Sequence, residues 1–492
     1  MTDHGLGRRL TEYGDRDFAL FLRRSFARAL GLGPETLGKP VVGIVNTFSE
    51  LSPCHAGMRA QAEAVKRGVW MSGGLPLEFP VISPGEIFVH PTSMLYRNLM
   101  ALDVEAMVRA QPLDAVVLLG GCDKTVPALL MGAASAGVPA ILDVAGPMLV
   151  GNVDGERVGA CTDCRRFWAA YRRGEVDRAR LDRVEGQLVP TIGTCGVMGT
   201  ASTMACVAEA LGVLLPGGAS IPAVHADRLR HAEQTGRTAV ALAASGLTLD
   251  RILTPAAFEN ALVALQAVAG STNAVIHLAA IAGRVGVRLG AKELDEAARR
   301  TPVIADLKPT GHGYMKDFHR AGGMPAVLRE LRSRLHLGAL TVTGRTLGEA
   351  LEAARDASDA RIIHPAAAPL QADGGLVPLH GSLAPDGAII KRSAASPHLL
   401  RSSGRAVVFS SLEDLAKRID DPDLDVTPTD VLVLQNAGPI GAPGMPEAGA
   451  LPIPRKLAGV KDMVRISDAR MSGTAFGTVV LHVSPEAAVG GP

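Results

Sequence analysis

The stretch that decides the fold is Asp114-Ala-Val-Val-Leu-Leu-Gly120, then Gly121-Cys-Asp-Lys124, then Thr125-Val-Pro-Ala-Leu-Leu-Met-Gly-Ala-Ala-Ser-Ala136, then Gly137-Val-Pro139 and Ala140-Ile-Leu-Asp-Val144. The first run is apolar and of strand length. The third is of helix length, with Thr125 near its N-cap and Gly137 and Pro139 ending it. The last is again a short apolar strand. Strand, helix and strand in that order make a βαβ unit, and such units build parallel sheets.

Working outward, residues 40–46 read as a buried strand entering a loop, and residues 55–69 as a helix. Residues 17–32 have helical spacing, with Phe18, Phe21, Leu22, Phe26 and Leu30 on roughly one face. Residues 92–109 form a second amphipathic pattern, expected to turn Met94, Leu95, Leu99, Leu102 and Met107 inward. Residues 188–193 followed by 200–211 repeat the strand–turn–helix plan, with Cys195 in the turn. Residues 252–368 are mostly helical by pattern. After Pro365 the texture changes to short β-like runs at 376–379, 388–391, 406–409 and 431–434, separated by Gly and Pro. The expectation is an α/β domain over residues 1–370 and a smaller β-rich, barrel-like domain over 371–492.

Composition narrows the function. A chain of 492 residues is too long for one ordinary core. Hydrophobic residues at 47% exclude a disordered chain. A net charge of +1 offers no pull toward nucleic acid or anionic lipid, and 3% aromatics give little surface for stacking on bases. The uncharged stretches at 125–142 and 188–207 carry Pro, Gly, Thr and Ser and read as buried segments rather than membrane spans. No apolar run follows the N-terminal Met-Thr-Asp-His-Gly-Leu-Gly-Arg-Arg-Leu, so a cytoplasmic location is expected. The 55 glycines and 32 prolines imply many tight turns, the usual surroundings of a cofactor.

There are six cysteines: Cys54, Cys122, Cys161, Cys164, Cys195 and Cys206. In a large cytosolic chain they point to core packing, catalysis or metal ligation rather than disulfides. Cys54, Cys122 and Cys195 each fall in a turn between an expected strand and the following helix. Ligands of open α/β sheets bind at the carboxyl ends of strands, and helix N-termini there favour anionic groups such as a thiolate-held iron–sulfur cluster. Spacing alone favours three separate buried thiols. Asp123 and Lys124 beside Cys122 make a charged cluster that is costly to bury without purpose, or else an ordinary surface turn. Cys161-Thr-Asp-Cys164 has no second CxxC to complete a zinc site, so its thiols read as reduced and structural, and Cys206 reads as core.

Several long motifs then occur in order: Asn46-Thr-Phe-Ser-Glu-Leu-Ser-Pro-Cys-His55, Gly120-Gly-Cys-Asp-Lys-Thr-Val-Pro-Ala128, Gly193-Thr-Cys-Gly-Val-Met-Gly-Thr-Ala-Ser-Thr-Met204, Gly270-Ser-Thr-Asn-Ala274, Leu379-His-Gly-Ser-Leu-Ala-Pro-Asp-Gly387 and Ser467-Asp-Ala-Arg-Met-Ser-Gly-Thr474. Together they resemble the dihydroxy-acid dehydratase/phosphogluconate dehydratase family, from about Arg23 to the last residue. The resemblance implies that Cys54, Cys122 and Cys195 ligate the cluster and leave one iron open. It implies that Glu86, Asp123, Glu447 and a carbamylated Lys124 bind Mg2+, and that Ser472 is the general base. Ile82-Ser-Pro-Gly-Glu86 and Val89-His-Pro-Thr-Ser-Met-Leu-Tyr-Arg-Asn-Leu99 look like the pentonate branch, the L-arabinonate and D-xylonate dehydratases. On that branch the cluster is 2Fe–2S, the alternative being 4Fe–4S, and Thr474, Thr162 and His90 become candidate partners of substrate hydroxyls. The implied reaction converts a 2,3-dihydroxy sugar acid to a 2-keto-3-deoxy acid in a homodimer or homotetramer. Dehydration of branched-chain dihydroxy acids is the alternative in the same fold, and a cluster-free binding protein the alternative outside catalysis. Relatives extend several tens of residues past the last motif, so the resemblance also implies a truncated β-rich domain.

Overall fold

The computed structural model describes residues 4–8, 10, 14–354 and 356–492. Its first sheet is four-stranded and wholly parallel, in the order β2-β1-β3-β4, with β1 Val41–Asn46, β2 Leu75–Pro80, β3 Ala115–Gly120 and β4 Ala140–Val144. Every residue of β1, β3 and β4 is buried. That is why these strands are continuous apolar runs without alternation: parallel sheets are covered on both faces.

Of the helices α1 Arg16–Ala29, α2 Met58–Met71, α3 Arg97–Ala110 and α4 Thr125–Ala136, α2 and α4 cover the sheet directly, α3 packs on α4, and helices further along the chain complete the cover. A short hairpin, β5 Gly151–Val153 with β6 Glu156–Val158, leads to α5 Thr162–Arg172, α6 Arg178–Leu188, α7 Thr200–Ala210 and α8 Ala226–Ser245. Helices α9 Leu249–Ile252, α10 Pro255–Ala267, α11 Asn273–Arg284, α12 Ala291–Arg300, α13 Met315–Arg320, α14 Gly323–Glu330 and α15 Leu347–Glu352 complete this part. Helix α7 is buried along its whole length, and its polar residues Thr200, Ser202, Thr203 and Glu209 are hydrogen-bonded internally rather than turned to solvent. Helices α2 and α8 meet backbone to backbone. A Cβ on Gly68 would fall 2.0 Å from the Glu233 carbonyl oxygen, and one on Gly236 2.2 Å from that of Val65.

The second sheet has six strands in the order β7-β8-β12-β11-β10-β9: β7 Leu376–Gly381, β8 Ala384–Lys391, β9 Ala406–Phe409, β10 Val431–Leu434, β11 Arg465–Ser467 and β12 Val479–Ser484. A helix, α16 Leu412–Arg418, follows β9. Strands β9 to β12 run parallel, and β8 and β7 pair antiparallel. The C-terminal region is therefore β-rich as expected, but it is an open mixed sheet with β7 and β9 at its edges, not a barrel.

Two local expectations are corrected. Residues 188–193 form no strand. Helix α6 runs to Leu188, and the chain then stays irregular until Thr194 pairs with the segment beyond β4 (Met148 N to Thr194 O 2.8 Å, Thr194 N to Gly146 O 2.9 Å). The inward face of α3 is Met100, Ala101, Val104 and Val108, whereas Leu95, Leu99 and Leu102 are exposed. Phe18, Phe21, Phe26 and Leu30 of the first helical pattern are exposed as well. Apolar spacing locates a helix but cannot say which apolar face meets the core.

Candidate active site

Each strand of the parallel sheet sends a loop to the same end. The loop after β1 carries Cys54, that after β2 Glu86, and that after β3 Cys122, Asp123 and Lys124. The extension of β4 holds the segment that carries Cys195. From the second sheet, the loop after β10 brings Glu447 and the loop after β11 brings Ser472 and Thr474. All of these except Lys124 line one cavity of about 130 Å3, together with Cys161, Arg165 and Thr200. Parallel sheets place ligands outside their carboxyl ends, and here two sheets do so face to face.

Four thiols meet there. Cys54 donates to Cys122, which raises the Cys54 thiol well above its ordinary value and lowers that of Cys122. The Cys161 and Cys195 sulfurs are 3.2 Å apart. Cys161 therefore belongs to the site, while Cys164 stays beside it, donating to the Cys161 carbonyl at 2.6 Å and interacting with its thiol. Cys206 is fully buried in the core, as expected.

Behind Cys122 stands His55, which the sequence motif contained but did not single out. The Cys122 N–H donates to His55 Nε2 at 3.1 Å. An accepting Nε2 leaves the proton on Nδ1, which donates to Ser83 Oγ at 2.7 Å, and Ser83 in turn donates to the Thr47 carbonyl at 2.6 Å. Burial lowers the imidazole to about 4, so it stays neutral and can accept.

The carboxylates converge on Lys124, which is 1% exposed. Its Nζ lies 3.1 Å from Glu86, 3.4 Å from Asp123 and 3.3 Å from Glu447. Burial penalises the ammonium, yet Glu447, Asp123 and Glu86 outweigh it and raise the group above its ordinary value. Arg470, fully buried, is a second cation. It pairs with Glu447, reaches Glu86 at 3.7 Å and donates to Thr92 Oγ1 at 2.8 Å. Thr92 and Ser93 hold Glu86 through Oγ1 at 2.8 Å and a backbone N–H at 3.1 Å. Asn273 donates to Glu447 at 3.1 Å. None of Arg470, Thr92, Ser93 and Asn273 was singled out in the sequence, although all four lie inside stretches quoted above.

Ser472 Oγ is 2.9 Å from Thr474 Oγ1. Thr162 donates to the Thr474 carbonyl at 3.1 Å, so it braces the loop instead of lining the cavity. His90 is exposed and also does not line the cavity.

The donor set fits the expected groups. Sulfur atoms crowd one wall, as a thiolate-held cluster needs. Carboxylate oxygens crowd the other, around a point already held by a cation, as a hard divalent ion needs. The charge also balances. Three carboxylates against one ammonium and one guanidinium leave a single negative charge. Turning the ammonium into a carbamate while adding a divalent cation leaves the same charge.

Comparison with known proteins agrees with this geometry. Residues 39–350 match the family model of the dihydroxy-acid/6-phosphogluconate dehydratase N-terminal region, and residues 361–492 that of its C-terminal region. The chain belongs to this family. It is 52% identical to the L-arabonate dehydratase of Azospirillum brasilense over 98% of the chain and 83% of that protein. It is 48% identical to the 6-deoxy-6-sulfo-D-gluconate dehydratase of Pseudomonas putida, over 96% of the chain and 82% of that protein. It is 40% identical to a dihydroxy-acid dehydratase of Caldicellulosiruptor saccharolyticus, over 96% and 86%. No helix among the described residues of this dehydratase-family chain is long and apolar enough to cross a membrane.

Proposed function

We propose that this chain is a cytoplasmic hydro-lyase that removes water from a sugar acid, a pentonate such as L-arabinonate or D-xylonate, to give a 2-keto-3-deoxy acid. The observation that carries the reading is the single cavity shared by Cys54, Cys122, Cys195, Glu86, Asp123, Glu447 and Ser472. Residues 1–370 supply the thiols and two of the carboxylates, and residues 371–492 supply Glu447 and Ser472. Cys54, Cys122 and Cys195 would hold a 2Fe–2S cluster, and Glu86, Asp123, Glu447 and carbamylated Lys124 would hold Mg2+.

When bound, these groups would supply the Lewis acidity that makes the C2 proton acidic and the C3 hydroxyl a better leaving group. The protein's own part is proton transfer and orientation. Ser472 takes the C2 proton, with Thr474 holding its oxygen at 2.9 Å. An alcohol is a weak base, so Ser472 depends on the neighbouring positive charge to favour its anionic form. Arg470 and Asn273 fix Glu447, while Thr92 and Ser93 fix Glu86, so the carboxylates need not reorganise. The enol that leaves tautomerises to the ketone. The exposed apolar side chains Phe18, Phe21, Phe26, Leu95, Leu99 and Leu102 support assembly as a homodimer or homotetramer.

Anaerobic purification with iron and sulfide analysis, then assay of arabinonate, xylonate, gluconate and 2,3-dihydroxyisovalerate for 2-keto acid, tests the proposal. The expected result is bound iron and sulfide with turnover of a pentonate. Turnover of 2,3-dihydroxyisovalerate alone would assign the branched-chain reaction instead. A chain without iron or turnover would leave only a binding role.

A further inference from the structure

The cavity that holds the thiols and Ser472 has a volume of about 130 Å3. A second cavity of about 420 Å3 adjoins it, and the two share Arg165 and Glu447 in their walls. A substrate with its reacting carbons among the thiols can extend its tail past Arg165 into this larger space.

Arg165 is unlike the other arginines there. Arg172 is held by Asp420 through bonds of 2.8 and 2.6 Å, and Arg455 meets the same carboxylate at 3.3 Å. Arg173 is held by Glu175 and Arg465 by Asp462. Arg165 makes no ion pair among the described residues, and its buried Nε has no hydrogen-bond partner. Its charge acts on Glu447 across the junction. A buried N–H left without an acceptor is costly, and a fork of donors at a cavity junction meets that cost when a ligand supplies oxygens. Trp168 and Phe476 line the same cavity and offer faces for the carbon chain between those oxygens.

We infer that Arg165 is a specificity-determining residue that binds the hydroxyl-bearing tail of the sugar acid, and that the 420 Å3 cavity is the tail's subsite. The inference rests on the dehydratase reading and deepens it. It selects polyhydroxylated acids over branched alkyl acids, whose tails bring no oxygen to Arg165.

The test compares Arg165→Ala and Arg165→Lys with wild type in the cluster-loaded, magnesium-loaded enzyme. For Arg165→Ala the KM for L-arabinonate is expected to rise about 10- to 100-fold with little change in kcat, because the tail does not react. The KM for 2,3-dihydroxyisovalerate should stay unchanged, so the ratio of KM for arabinonate to that for 2,3-dihydroxyisovalerate should rise by the same factor, and the lysine variant should reverse part of that rise. Independently of turnover, arabinonate should shield Arg165 from phenylglyoxal, read by peptide mass. Equal changes of KM for both acids, or no shielding, would overturn the subsite. Shielding without any 2-keto acid from wild type would end the dehydratase reading and keep the subsite. Keto acid without shielding would do the reverse.

Discussion

The ammonium of Lys124 lies 3.3 Å from a carboxylate oxygen of Glu447, although 323 positions separate them and they follow strands of different sheets. The contact closes the carboxylate cluster around Lys124 across the two halves of the chain. It also makes Lys124 the countercharge of three half-buried carboxylates.

Lys124 is therefore expected to respond to carbon dioxide. Bicarbonate should tighten Mg2+ binding by wild type, measured by titration of the cluster-loaded enzyme, and leave Lys124→Ala unaffected. The variant should lose turnover. Without metal it should lose about 3 kcal/mol of stability, because three carboxylates then face one another with only Arg470 to balance them. Bicarbonate-dependent Mg2+ binding that survives in the variant would rule out the carbamate.

The thiols should separate by iron content. Cys54→Ser, Cys122→Ser and Cys195→Ser are expected to lose most of the bound iron and sulfide. Cys161→Ser should retain them, since three ligands leave one iron open. His55→Leu removes the acceptor of the Cys122 N–H, costing about 1–3 kcal/mol, and should lower iron retention without removing a ligand. Full loss of iron in Cys161→Ser would make Cys161 a fourth ligand.

Ser472→Ala is expected to keep the cluster absorbance and lose kcat by about 100-fold or more, the range for a positioned base. Thr474→Val removes the 2.9 Å hydrogen bond to Ser472 and should lower kcat by about 10-fold. Undiminished turnover by Ser472→Ala would remove the serine as the base.

A stability prediction concerns Lys391, which is buried with no partner for its Nζ. Burial lowers its ammonium to about 7, while the unfolded chain titrates near ~10.4. Between those values the unfolded state holds a proton that the folded state lacks, so this residue makes stability rise as pH climbs from about 7 toward ~10.4. Below 7 the burial penalty is full. Lys391→Met should raise the unfolding midpoint at pH 7 and flatten that alkaline rise, both measured by denaturant unfolding across pH. A lower midpoint for the methionine variant at pH 7 would show that the amine finds a compensating partner.

Much of this molecule is written locally. Residues 115–120, 125–136 and 140–144 are continuous apolar strands around a helix because a parallel sheet is covered on both faces, and the structure has those elements at those residues. The turns that carry Cys54 and Cys122 follow from the same pattern, since a strand end and a helix start define them. What the pattern could not give was decided by neighbours far along the chain. The apolar residues of α3 were visible, but only packing chose Met100, Val104 and Val108 over Leu99 and Leu102 for the core. The strand expected at 188–193 is absent because that segment meets the extension of β4 only at Thr194. Cys161 beside Cys195, Arg470 beside Glu447 and His55 beneath Cys122 are contacts between loops, and loop sequences carry no periodicity from which to read a partner. Sequence by itself set the strands and the reactive residues at their ends. Tertiary structure decided which of those ends meet, because only there do burial and charge act across hundreds of residues.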